Sequence, residues 1–233
     1  PLRYCWRRQG KPCQIQPAVY KEDIMDNILE QLKKKRIVPV VVLRNIADAK
    51  PLAKSLCDGG LPCAEITFRT EAALDCIQIM SEEFPEMLVG AGTVLTTAHA
   101  DQAIKAGAKF IVSPGFNPTV VKHCIKKKYP IIPGVNNPSD IEAALSFGLT
   151  FVKFFPAEAS GGLEMIKALS APYPQMRFMP TGGITPENLH TYLAFEKVAA
   201  CGGTWMVKDE LLKLQNFEEV KRLTEDALRT IRS

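Results

Sequence analysis

Apolar positions along the chain alternate between two spacings. Short, almost wholly apolar runs fall at residues 37–43, 63–68, 87–94, 110–113, 131–135, around Lys153, at 177–180 and at 198–201. Between them, residues 47–57, 71–83, 97–106, 118–127, 138–147, 162–170 and 186–193 carry apolar side chains at helical intervals, and further helices close the chain between 209 and 231. Continuous apolar runs bounded by Gly and Pro predict strands buried on both faces, and the periodic segments predict helices covering them. Asp58-Gly59-Gly60, Pro85, Gly107 and Gly148 supply the stops.

Ahead of the first run, Ile24, Ile28, Leu29 and Leu32 predict an amphipathic lead-in helix over 22–35. The strand–helix unit then recurs about every 20–26 residues. Eight such units point to an α/β fold, a (β/α)8 TIM barrel with an N-terminal lead-in helix. An open doubly wound sheet would carry a Gly-x-Gly-x-x-Gly turn after its first strand. Here Leu43 is followed by Arg-Asn-Ile-Ala-Asp, which favours the barrel. Residues 21–233 form the single barrel domain in this reading.

Residues 1–20 have Arg3, Trp6, Arg7, Arg8 and Lys11 among Pro12 and Pro17, without periodicity or the apolar core of a secretory signal. They read as an irregular extension; an Arg-rich, acid-free organelle-targeting remnant is the second reading.

Composition narrows the functional classes. The 233 residues are 46% hydrophobic and 23% charged, as in an ordinary globular protein. A net charge of +4 is scattered, with short basic clusters at 33–36 and 126–128 on helix ends, where cations suit the dipole. No nucleic-acid partner is indicated, and no apolar stretch has the length of a membrane span. The seven cysteines, at 5, 13, 57, 63, 76, 124 and 201, include no Cys-x-x-Cys pair and read as reduced thiols of a cytosolic protein.

The chemistry gathers at the ends of the apolar runs, the functional rim of such barrels. Lys153 stands inside Thr150-Phe-Val-Lys-Phe-Phe-Pro-Ala-Glu158. A buried ammonium is costly unless paired or deprotonated, and a deprotonated lysine is a Schiff-base nucleophile. A strand-end lysine reaching water is the plainer alternative. Arg44 ends the first run, and Glu65, Thr67 and Arg69 alternate along the second, so that all three point to one side. A carboxylate beside an amine that forms and loses an imine is a proton shuttle, against the alternative of a structural ion pair. The fork of Arg69 suits a substrate carboxylate, or simply caps the strand.

Gly182-Gly183 and Gly202-Gly203 fall after the seventh and eighth strands, where this fold binds phosphate, although glycines there also serve tight turns. His99, His123 and His190 lie on helical segments without metal-ligand spacing, and no metal site is expected.

These segments together resemble a known family. Glu65-Ile-Thr-Phe-Arg-Thr70, Val89-Gly-Ala-Gly-Thr93, Ser113-Pro-Gly115, Ile132-Pro-Gly134, Phe151-Val-Lys-Phe-Phe-Pro-Ala-Glu158 and Pro180-Thr-Gly-Gly-Ile184 resemble the class I 2-keto-3-deoxy-6-phosphogluconate/4-hydroxy-2-oxoglutarate aldolases, over about residues 24–230. The resemblance implies Lys153 as the Schiff-base lysine and Glu65 as general acid/base. It implies that Arg69 and Thr93 hold the pyruvyl carboxylate and nearby oxygens, with Pro114 lining that pocket. Phe155 would pack against the imine, and Thr181 would sit by the substrate hydroxyls. Gly182, Gly183, Gly203 and Thr204 would bind phosphate. It further implies a small keto-acid substrate, no cofactor, a homotrimer and a cytoplasmic location.

Asn136-Asn137 stand where the family usually has Ser-Thr, Phe68 replaces a usual leucine, and Thr204 stands where serine is common. Asn136, Asn137 and Thr204 put the choice of aldehyde half in question. An oxaloacetate decarboxylase using the same imine, a phosphate-binding barrel isomerase or synthase, and a non-catalytic sugar-phosphate binder stay open on the residues alone.

Overall fold

The computed structural model of the protein describes residues 22–231. The expected extension over 1–20, with Cys5 and Cys13, lies outside the described residues. Helix α1 (Glu22–Lys35) leads into β1 (Ile37–Val41), with Ile28 and Leu32 buried beneath it. There follow α2 (Ala49–Asp58), β2 (Cys63–Thr67), α3 (Ala73–Glu83), β3 (Leu88–Gly92), α4 (Thr97–Lys105), β4 (Phe110–Val112) and α5 (Pro118–Lys126). The chain continues through β5 (Ile131–Ile132), β6 (Gly134–Val135), α6 (Pro138–Ser146), β7 (Phe151–Phe154), α7 (Gly162–Ser170), β8 (Arg177–Pro180) and α8 (Pro186–Leu193). It ends with β9 (Cys201–Gly203), α9 (Asp209–Lys213) and α10 (Phe217–Thr230).

Helix starts follow the side chains available. Thr96, Asn117 and Asn137 accept backbone N–H bonds at the starts of α4, α5 and α6, and Thr185 and Asn188 form a capping box on α8. Pro118, Pro138 and Pro186 occupy first-turn positions, where no N–H is needed.

All strand pairs are parallel. One ribbon runs β5-β4-β3-β2-β1-β9, the other β6-β7-β8. The expected strand over 131–135 is thus divided at Pro133, which has no N–H to donate. Its first half pairs with β4 and its second with β7, while the Pro133 carbonyl accepts from Lys153 N at 2.9 Å. Single-residue bridges, Phe178 to Val198 and Thr181 to Gly202, link β8 to the chain around β9. The result is an α/β fold whose parallel strands curl as half-barrels around a shared interior.

One strand departs from the sequence pattern. The apolar run at 198–201 predicts the last strand, but β9 covers Cys201, Gly202 and Gly203, paired with Ile37, Val38 and Pro39. Val198 makes only the isolated bridge. Pairing with a buried central strand outweighs the low strand propensity of two glycines.

Glycine inside β3 is also a packing device. A Cβ at Gly90 would come within 2.6 Å of the Phe110 ring, and one at Gly92 within 2.7 Å of Glu65 Cγ. β3 lies flat so that larger neighbours can fill the interior. The cysteines of the described residues are free thiols, four of them buried and Cys57 half-buried. Burial pushes Cys57, Cys76 and Cys124 up to about 11 and Cys63 up to about 12.

Two outcomes follow from this packing. Gly90→Ala must displace the Phe110 ring, and overpacking of this kind should lower stability by about 1–3 kcal/mol. The urea midpoint measures it, and an unchanged midpoint would show that the ring has room to move. The thiols should resist alkylation in the native state at pH 8, with Cys57 reacting ahead of Cys63, Cys76, Cys124 and Cys201 in peptide-resolved labelling. Because folding raises these thiol pKa values, their contribution to stability is complete below the unfolded value of 9.0 and is lost as pH climbs toward about 11.

Candidate active site

Lys153 sits in β7 between two fully buried aromatic-bearing stretches and is itself only 5% exposed. Glu65, in β2, is completely buried. The two belong to different ribbons, and Lys153 Nζ donates to Glu65 Oε1 at 3.1 Å across the interior. Gly92 gives the Glu65 side chain its space. Coulomb attraction in so dry a place is strong, yet desolvating both ions costs several kcal/mol, so such a pair is a poor device for stability alone. It is a good device for moving one proton over one hydrogen bond.

The strand alternation that would carry Arg69 alongside Glu65 ends early. β2 stops at Thr67, whose hydroxyl donates to Val41 O at 2.9 Å. Arg69 N then turns back onto Thr67 O at 2.8 Å, leaving the arginine exposed beyond the strand. Its Nε donates to Thr93 Oγ1 at 3.2 Å. Thr93 follows Gly92 directly and has a φ of +57°. A β-branched residue there costs about 1–3 kcal/mol, a strain that clusters at functional positions. Arg69 and Thr93 therefore form a linked pair one residue beyond the glycine that faces Glu65.

Phe155 lies two residues after the lysine, its ring centroid 5.4 Å from Lys153 Nζ. Gly182, which adopts φ +97° in the turn after β8, also lies against that ring: a Cβ on it would stand 3.4 Å from Phe155 Cε2. Gly183 follows at φ +80°, and both values require glycine. Thr181 is buried, close enough to Gly202 that a Cβ there would lie 3.0 Å from Thr181 Cγ2. Pro114, half-buried, places its backbone against Gly134, the β6 residue that pairs with Lys153.

Gly203 closes β9 rather than lying in a free loop. Its missing side chain makes room for the Trp205 ring, 2.7 Å from where a Cβ would stand, and Thr204 is exposed immediately after it. Arg44, at the end of the first apolar run, is drawn outward to Asp209 at 3.3 Å.

Lys153, Glu65 and Phe155 thus come together, Arg69 joins Thr93, Gly182 adjoins Phe155, and Thr181 N donates to Phe154 O at 3.0 Å. Cys124 is buried, and His123 Nε2 contacts Asp101 at 2.8 Å. Among the described residues no group of three or more His, Cys, Asp or Glu side chains could hold a metal ion. No helix there is long and apolar enough to cross a membrane. Two features were hidden in the sequence. The strained backbone of Thr93 has no signature in residue type, and Glu158, inside the lysine segment, shows its contacts only in three dimensions.

A family model described as KDPG and KHG aldolase matches residues 28–223. A 2-dehydro-3-deoxy-phosphogluconate aldolase of Haemophilus influenzae is 49% identical over 205 residues, covering 88% of this chain and 97% of that protein. The KHG/KDPG aldolase of Escherichia coli K12 is 40% identical over 192 residues, covering 82% and 90%. A crystal structure of the Zymomonas mobilis 2-keto-3-deoxy-6-phosphogluconate aldolase with 3-phosphoglycerate superposes with a TM-score of 0.80 at 40% identity, covering 88% of this chain and 95% of that one. The Legionella pneumophila KDPG aldolase, with pyruvate captured as a covalent carbinolamine intermediate, also gives 0.80, at 38% identity and 82% and 93% coverage. On the family match and on these identities, the chain belongs to the KDPG and KHG aldolase family.

Proposed function

We propose that the protein is a class I aldolase, a lyase that reversibly cleaves 2-keto-3-deoxy-6-phosphogluconate to pyruvate and glyceraldehyde 3-phosphate. By the same chemistry it cleaves 4-hydroxy-2-oxoglutarate to pyruvate and glyoxylate. The observation that carries this reading is the buried Lys153–Glu65 hydrogen bond of 3.1 Å. Catalysis starts with transfer of the lysine proton to Glu65. The free amine adds to the C2 ketone, and one of its protons passes to the new alkoxide to give a carbinolamine. Glu65 returns its proton to the departing hydroxyl, and loss of water leaves a protonated imine. Glu65 then takes the proton of the C4 hydroxyl. The C3–C4 bond breaks, its electron pair flows into the iminium to give an enamine, and the aldehyde departs. Protonation at C3 and hydrolysis release pyruvate and the amine. Forming the imine divides one difficult carbanion step into easier ones.

Arg69 and Thr93 hold the pyruvyl carboxylate and neighbouring oxygens, in keeping with their mutual hydrogen bond and with the bidentate fork of arginine. Phe155 packs on the imine and Pro114 lines the pocket. Thr181 meets the substrate hydroxyls. Gly182, Gly183, Gly203 and Thr204 receive the phosphate, supported by the positive φ of the first two, which lets the backbone approach a ligand closely.

The same reading closes the two ribbons into one eight-stranded (β/α)8 barrel domain with α1 as its lead-in helix. Pairing of β9 with β1, the bridges from β8, and the continuity through Pro133 support it. The active form is a homotrimer in the cytoplasm, and it uses no cofactor.

Borohydride added with pyruvate should fix a reduced pyruvyl adduct on Lys153, seen by peptide mass mapping. Lys153→Arg should lower kcat by at least about 10⁴-fold, the scale of losing a nucleophile. An adduct on another lysine, or none on folded protein in excess pyruvate, would overturn the assignment. Glu65→Gln keeps the size of the side chain but not its basicity, and should lower kcat by about 10²–10⁴-fold with KM changed far less. Steady-state kinetics decides it: a normal kcat would remove Glu65 from the proton path.

A further inference from the structure

The segment carrying Lys153 continues into a contact that the proposed chemistry does not use. Beyond Phe155, Ala157 N donates to Thr181 O at 2.8 Å and Glu158 N to Gly182 O at 3.1 Å, so the turn after β7 is zipped onto the turn after β8. The Glu158 side chain then folds over Gly183, where a Cβ would lie 2.7 Å from Glu158 Cβ. Its Oε1 accepts the hydroxyl proton of Tyr192, on α8. Gly162, at the start of α7, leaves the space for both groups: a Cβ there would fall 3.1 Å from the Tyr192 hydroxyl and 3.2 Å from Glu158 Oε1.

Tyr192 is 2% exposed, and burial, reinforced by its bond to Glu158, pushes its phenol well above the usual range. It therefore acts as a fixed donor. Gly182 and Gly183 are held at φ +97° and +80°, a conformation that an unsupported glycine pair visits only as one of many. The carboxylate closes the gap between the glycine turn and the helix that follows it.

We propose that Glu158 and Tyr192 are a positioning pair, a latch that holds the Gly182-Gly183 turn in the shape that receives the substrate phosphate. They thereby set the preference of the enzyme for phosphorylated over unphosphorylated 2-keto-3-deoxy acids. The inference rests on the phosphate-site reading above. Two physical effects oppose each other here. A carboxylate near a phosphate repels it, whereas a hydrogen-bonded carboxylate pre-orders the turn that binds it. Their balance gives the direction of the test. Loss of one hydrogen bond to a charged group corresponds to about a tenfold change in affinity.

The experiment compares kcat/KM for 2-keto-3-deoxy-6-phosphogluconate with that for the same acid lacking its phosphate, in wild type, Tyr192→Phe, Glu158→Ala and Glu158→Gln. Wild type should strongly prefer the phosphorylated acid. Tyr192→Phe and Glu158→Ala should each lower the ratio about tenfold, chiefly through KM of the phosphorylated acid. Glu158→Gln, which keeps an acceptor for the tyrosine, should hold it within about twofold. A merely structural role would depress both substrates together and leave the ratio unmoved, which overturns the latch. A ratio that rises in Glu158→Ala would mean that repulsion dominates, and a fall in Glu158→Gln equal to that in Glu158→Ala would discount the hydrogen bond; either overturns it as well. A wild type indifferent to the phosphate would overturn the phosphate-site reading itself. Glu158 is exposed, so its variants keep the test decisive even if the buried Tyr192→Phe does not fold.

Discussion

An ion pair spanning the interior sets the terms for the rest of this structure. Lys153 and Glu65 come from separate ribbons and meet where both are almost wholly buried. Neither charge is tolerable there without the other, since leaving one buried ion unpaired costs about 3–5 kcal/mol. The ribbons must therefore curl until the two side chains meet. Gly92 must be glycine for Glu65 to stand upright, and the strands around the pair must be apolar to keep its dielectric low. An apolar substitute of similar volume would serve stability as well or better. What the pair offers beyond stability is a proton that can change hands without solvent.

Around that rigid centre, the groups assigned to substrate sit on turns. Arg69 lies past the end of β2, Thr93 past the end of β3, and the glycine turn past the end of β8. On the proposed reading, strands fix the reacting amine and carboxylate, while turns carry the residues that hold the rest of the substrate. The strain at Thr93 is bearable because Gly92 before it is locked in the ladder with Thr67. In that reading, substrate binding and chemistry fall to different kinds of backbone.

Much of this was legible in residue order. A lone lysine within Phe-Val-Lys-Phe-Phe reads as either buried or reaching water from a strand end, and the apolar runs placed most strands to within a few residues. The capped, proline-started helices announced themselves locally. What escaped was set by partners distant in sequence. Gly90 and Gly92 make room for Phe110 and Glu65, and no local pattern reveals that. The strand at Cys201-Gly202-Gly203 has poor intrinsic propensity and exists because β1 offers it a ladder. The alternation through Glu65, Thr67 and Arg69 assumed a strand longer than the one that forms, because a turn at Arg69 ends it.

The pairing of β9 with β1 joins strands that lie far apart in sequence. Ile37 finds its ladder partner in Cys201, which emerges only after every other strand of the two ribbons. Until then β1 has one open edge, apolar and ready to pair with any passing strand. During synthesis the growing chain therefore carries an exposed seam until β9 has been made. Nascent chains crowded on one message are most exposed to misassembly in this interval, which makes translation speed and chaperone access part of how this fold is reached in a cell.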